Sequence, residues 1–263
     1  MVVQLHQFAA AIYLIAGLVA GLSLAVPAPR LGRVAVGLLA AGLVCHGLAF
    51  GLLHSAAPPP LTDMAAAVSF MAWVGGLFFL ILLLRMRLAG LVVLVAPMAF
   101  LGVFFAALRL PFAGESSVGG SGSWPHAHVL LSSAGLALLG VACLAGLLFL
   151  IEHRRLKSKR PLRRPLPLPS LEALDRVNAA ALAVGFPLLT VGVVTGMMWV
   201  QAVTGHFWSG TPHETWSAVA WAVYAVLAAA RFARHQGARQ AALSAVGGFA
   251  FLLFAVIGVE ILV

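Results

Sequence analysis

"HVLLSSAGLALLGVACLAGLLFLIEHRRLKSKR" occupies residues 128–160. From His128 to Ile151 it holds no Asp, Glu, Lys or Arg, and basic residues then crowd in from Arg154 onward. About 20 apolar residues, at a 1.5 Å rise each, carry a helix across the hydrocarbon core of a bilayer. The stretch therefore reads as a membrane span that ends in a basic connection. Composition agrees: the chain is 62% hydrophobic and 9% charged, whereas a soluble domain carries about 25% charged residues.

Seven further runs share this character, roughly at 5–26, 31–53, 64–84, 88–110, 178–203, 216–232 and 240–262. The expected fold is all-α: one polytopic membrane domain over residues 1–263 with eight transmembrane helices. The first run has small residues near its end, in "LSLAVPAP", but "MVVQLHQ" offers no Lys or Arg for the positive start of a secretory signal. It is read as a retained helix. No internal repeat is evident.

The net charge of +9 is not a nucleic-acid footprint, because its placement alternates. Arg30 and Arg33 follow the first run, Arg85 and Arg87 the third, and Arg231, Arg234 and Arg239 the seventh. Eight more basic residues lie between Arg154 and Arg176, and only Arg109 falls on the other side. Short basic loops stay cytoplasmic, so both termini are expected on the extracytoplasmic side. Arg in preference to Lys suits a bacterial plasma membrane.

Three connections stand out. "HSAAPPPLTD" (54–63) is an outer loop stiffened by prolines, and "PFAGESSVGGSGSW" (111–124) is a Gly/Ser-rich one. Residues 152–177 form a basic, proline-rich cytoplasmic linker. Such a linker can bind acidic lipids or a partner protein, or simply fix topology. Pro97 and Pro187 fall inside runs, where proline often marks a kink beside a cavity. Cys45 and Cys143 form no C-x-x-C or C-x-x-C-H, so neither thiol redox chemistry nor covalent haem attachment is indicated.

This topology sorts the histidines unevenly. His153 and His235 lie among cytoplasmic arginines, while His6, His54, His126, His128, His206 and His213 fall on or near the outer face. His46 lies inside the second run, eight residues before His54 and so about 12 Å deeper. An ionisable residue within a span is a functional candidate by default; a hydrogen-bonded packing role is the alternative. Outer segments also carry Trp124, Trp199, Trp208 and Trp216, a placement that interfacial anchoring explains in part.

The loop at 204–216 concentrates both residue types, in "GHFWSGTPHETW" (205–216). "T211-P-H-E214" fits a helix start, with Thr211 as N-cap, Pro212 at the first position and Glu214 in a capping box. A flat, iron-bearing macrocycle would take imidazole at the metal and aromatic walls around the ring. Zinc is a weaker candidate, because only His126 and His128 are close in sequence, and alternate helix positions do not face one another.

"HFWSGTPHETWSAVAWAVYA" (206–225) resembles the tryptophan-rich outer motif of CcsA/ResC-type cytochrome c assembly proteins. It keeps Trp208, Pro212, Glu214, Thr215, Trp216, Trp221 and Tyr224, with Gly210, Thr211 and His213 where Trp, Asp and Lys are expected. "CHGLAFGLLHSAAPPPLTDMAAAVSFMAW" (45–73) is similar to the segment that opens on the family's membrane histidine, which His46 matches. "HVLLSSAGLALL" (128–139) is similar to the helix opened by its outer histidine, matched by His128. The resemblance covers the chain from about residue 31. Two family histidines have no counterpart in "YAVLAAARFAR" or by "GVEILV" (258–263), which is closer to the shorter HemX/YpjD-like branch.

The resemblance implies a membrane component that handles haem b during c-type cytochrome assembly. It positions the haem rather than catalysing its chemistry. His128 and His46 are the iron-ligand candidates. Trp208 and Trp216 are the ring-facing candidates, and His213 or His206 would stand in for the missing outer ligand. The implied partners are the bilayer, a membrane protein of the assembly apparatus and apocytochrome c. The alternative is a HemX-like scaffold that anchors or regulates a haem-biosynthesis enzyme through its basic linker. A small-solute permease is disfavoured, since neither paired intramembrane charges nor repeat symmetry is visible.

Overall fold

The computed structural model describes residues 2–26, 28–56, 64–86, 91–109, 123–158 and 169–255. The proline-rich part of the outer loop at 57–63, most of the Gly/Ser segment (111–122), the linker core at 159–168 and the final "GVEILV" lie outside them. The described residues form eight helices: α1 (Val2–Ala25), α2 (Pro29–Ala56), α3 (Met64–Met86), α4 (Val92–Arg109), α5 (Ser123–Lys157), α6 (Leu171–Thr204), α7 (Pro212–Phe232) and α8 (Ala238–Leu253). Six are long and apolar enough to cross a membrane, while α4 and α8 are shorter apolar helices over the described residues.

Over its described residues each apolar run is helical, but α5 and α6 extend well past their runs. With 35 and 34 residues, each measures about 50 Å at a 1.5 Å rise per residue. The α5 extension takes in Trp124, His126 and Arg154–Lys157. The α6 extension takes in "LEALDRVN", which starts at N-cap Ser170, whose Oγ accepts from the Ala173 amide at 3.2 Å. Both ends of the 152–177 connection are thus helical. The sequence hides this because polar helical turns outside a bilayer carry no long apolar run.

The helices pack as two compact units, α1–α4 and α5–α8. In the first, α1 packs on α2, α2 on α3, α3 on α4, and α4 closes back onto α1. The second repeats this order with α5, α6, α7 and α8. The two units thus share a neighbour order although no repeat is evident in the sequence.

In unit 1, α1 meets α4 where the ring of Pro97 would stand 3.2 Å from a Cβ at Gly17. Both cysteines are half-buried free thiols, and Cys45 Sγ donates to the Leu5 carbonyl at 3.7 Å. In unit 2, the tightest joint is α5 against α6, through Gly135, Gly185 and Gly192. A core of Leu139, Leu182, Leu189, Ala220, Tyr224 and Leu252 lies beside it.

The end of unit 2 that holds Arg231 is fastened by an ion pair. Arg231 Nη2 stands 2.8 Å from Asp175 Oδ1 and 2.9 Å from Oδ2, with side chains 12% and 26% exposed. Breaking a fully buried pair costs about 3–5 kcal/mol and an exposed one under about 1. Asp175→Ala is therefore expected to cost about 2 kcal/mol, read as a lower melting temperature in detergent. Wild-type melting would mean that solvent already screens the pair.

Candidate functional site

Unit 1 surrounds its membrane histidine with hydroxyls. His46, Tyr13, Ser69 and His6 are all 0% exposed. Ser69 Oγ lies 2.8 Å from His46 Nε2, and Tyr13 Oη lies 3.3 Å from Nδ1. The His6 ring meets that of His46 edge-on, with centroids 5.8 Å apart. A hydroxyl can donate or accept, so both ring nitrogens of His46 are served in either tautomer. An iron atom at His46 would require one of these hydroxyls to leave. As it stands, His46 is a hydrogen-bonded joint between α1, α2 and α3, through Tyr13 and Ser69.

His128, on the first turns of α5, is held differently. Its Nδ1 lies 2.8 Å from the carbonyl oxygen of Gly192 on α6, with Ser132 Oγ a longer 3.3 Å away. A carbonyl can only accept, so Nδ1 carries the proton and Nε2 of the neutral ring keeps its lone pair. A backbone carbonyl on one imidazole nitrogen is the usual way of fixing the other as a metal ligand. The Trp199 ring lies beside it, with centroids 6.0 Å apart at 46°. His213, on the first turn of α7, is near enough to His128 to interact with it electrostatically.

The loop that leads to His213 is tightly specified. Gly205 ends α6 at φ 79°, and Gly210 adopts φ 78°, a left-handed backbone that favours glycine. Thr211 caps α7, its hydroxyl accepting from the Glu214 amide at 3.3 Å, with Pro212 in the first turn. The Glu214 carboxylate reaches further back than a capping box requires. It accepts from the amides of Ser209 at 2.8 Å and Gly210 at 3.2 Å, and from the Ser209 hydroxyl. This clamps the backbone immediately after Trp208.

The aromatic residues divide. Trp208 and Phe207 are 45% and 51% exposed. Trp216 is 37% exposed and packs on Phe251 and Phe254 of the α8 end, at 6.2 and 5.6 Å. Trp221 lies inside the unit, its indole N–H donating to Thr190 Oγ1 at 3.0 Å while the ring stacks on Phe186. His206 is exposed, and its backbone pairs with the Thr204 hydroxyl.

Unit 2 thus carries His128 near the start of α5 and His213 on the first turn of α7, while Trp208, Trp216 and His206 occupy the α6–α7 loop and the start of α7. Trp199, already placed among the outer tryptophans, stands beside His128; Gly192 and Gly196 join them without having been singled out in the sequence. The glycines' signal was the G-x-x-x-G spacing of "GVVTG" (192–196), which lets another helix approach closely. A Cβ at Gly196 would stand 2.7 Å from His128 Nδ1, so the imidazole occupies the space that glycine leaves.

A multi-pass helical membrane protein with a carbonyl-oriented histidine and an indole-rich loop at one end of a four-helix unit is the class these features define. A model of cytochrome c assembly proteins matches residues 61–263, and the chain belongs to that family. It is 30% identical to the cytochrome c biogenesis protein CcsA of Prochlorococcus marinus, over 77% of this chain and 73% of that one. CcsA of Microcystis aeruginosa is 27% identical over 77% and 76% of the two chains. CcsA of Chlamydomonas reinhardtii is 27% identical over 77% and 58%.

Proposed function

We propose that this protein holds haem at the outer membrane face for delivery to apocytochrome c. The observation that carries the reading is the hydrogen bond from His128 Nδ1–H to the Gly192 carbonyl, which leaves Nε2 as a ready ligand for haem iron. His213 is the second imidazole of the site, and exposed His206 is the substitute should His213 not reach the metal. Trp208 and Trp216 offer indole faces to the porphyrin, a flat apolar ring. Haem b is the cargo, and the chain's contribution is to bind and orient it.

The alternating basic connections support an orientation with α1 starting outside, which puts the 204–216 loop on the outer face. The preference for Arg over Lys favours a bacterial plasma membrane. A membrane partner of the assembly apparatus completes the reading. The three relatives named above bear cytochrome c biogenesis names and lend the scaffold alternative nothing.

The test is an absorption spectrum, oxidised and reduced, of protein purified in mild detergent from haem-replete cells. The wild type is expected to show a Soret band near stoichiometric strength. The His128→Ala, His213→Ala double variant is expected to lose it, whereas neutralising Arg154 to Arg164 should leave it intact. A Soret band unchanged in the double variant overturns the assignment.

A further inference from the structure

Unit 2 encloses a second polar place, near the Arg231 end of α7. A cavity of about 10 Å³ lies among α5, α6, α7 and the start of α8, and its lining includes Asn178, Tyr224, Arg231, Gln236 and Ser244. Two buried polar atoms here have no hydrogen-bond partner among the described residues: Tyr224 Oη and Gln236 Oε1. Their neighbours are engaged. Asn178 Nδ2 donates to the Ala142 carbonyl at 2.9 Å, Arg231 Nη1 to the Gln236 carbonyl at 3.1 Å, and Gln236 Nε2 to Ser244 Oγ at 3.1 Å.

Tyr224 is only 2% exposed. Its ring lies against Gly248, where a Cβ would sit 3.5 Å from Cζ and 3.6 Å from the hydroxyl oxygen. Burying a hydroxyl without a partner is unfavourable, and native interiors avoid it by admitting water where the space is polar. The volume needed for one water is roughly 10–15 Å³, which this cavity just reaches.

We propose that the cavity is a binding site for an ordered water, which accepts from the Tyr224 hydroxyl and donates to Gln236 Oε1. That water ties the middle of α7 to the turn before α8. It also gives Tyr224 a hydrated hydroxyl although the side chain is shielded from bulk solvent. The site is independent of any haem bound near His128.

The chain supplies its own control, because it contains two tyrosines. The Tyr13 hydroxyl is equally buried but is bonded to His46. The full-length protein, labelled with ζ-13C tyrosine and held in lipid nanodiscs, should give two resonances, and Tyr224→Phe assigns them by deleting one. A water-to-hydroxyl magnetisation transfer is expected at Tyr224 and not at Tyr13, and Gln236→Leu should abolish it. Absence of transfer at Tyr224 in the wild type, equal transfer at both tyrosines, or transfer unchanged in Gln236→Leu each overturns the proposal. If Gln236→Leu does not fold, the wild-type comparison decides alone.

Discussion

Gly135→Val is expected to destabilise unit 2 by about 3 kcal/mol, the upper end of what overpacking a close interface costs. The reason is what the new side chain would meet. A Cβ at Gly135 would lie 2.6 Å from the Leu189 amide nitrogen, 2.9 Å from its Cα and 3.0 Å from the Gly185 carbonyl oxygen. All three are backbone atoms of α6, so no rotamer change relieves the contact and the two helices must part. Their separation would also open the Leu139–Leu182–Leu189 packing beside them. Gly247→Ala is the control, because nothing lies within 4 Å of its Cβ position. Thermal unfolding in detergent checks both. A Gly135→Val protein that melts with the wild type would mean that α5 and α6 do not meet at this glycine.

The second large effect falls on His128 rather than on stability. A Cβ at Gly196 would stand 2.7 Å from Nδ1 and 2.9 Å from Cε1 of His128. Here the obstacle is a side chain, so the imidazole moves and the helices stay. Moving the ring breaks its 2.8 Å bond to the Gly192 carbonyl, and with it the fixed tautomer. Loss of such an outer partner weakens metal binding by about 10–100-fold. Gly196→Ala is therefore expected to weaken haem affinity by about that factor, measured by Soret titration, with less loss of melting temperature than Gly135→Val. Nitrogen-15 spectra of the haem-free protein read the tautomer directly. If Gly196→Ala keeps both affinity and tautomer while His128→Ala loses haem, the glycine is no socket but the haem reading stands. If neither variant loses haem, His128 is not the ligand.

Long-range apolarity made the helices legible, and local chemistry made the start of α7 legible. The run from His128 to Ile151 announces a helix because lipid tolerates no other unpaired backbone. Thr211 and Pro212 announce α7 because capping acts within four residues. The rest depends on which helices face each other, which hydropathy does not encode. His46 looked like an isolated intramembrane imidazole until Tyr13 and Ser69 supplied its partners from two other helices. His128 matched a family position, yet its orientation depends on Gly192, 64 residues away. Glu214 was placed in the correct cap, but its reach to Ser209 and Gly210 follows from the left-handed turn at Gly210.

That last contact has a kinetic consequence. Because Glu214 already holds the Ser209 and Gly210 amides, the segment carrying Trp208 is preorganised before any guest arrives. Little conformational freedom is left to lose on association. If haem is that guest, as proposed, its capture is expected in a single kinetic phase with no slow rearrangement.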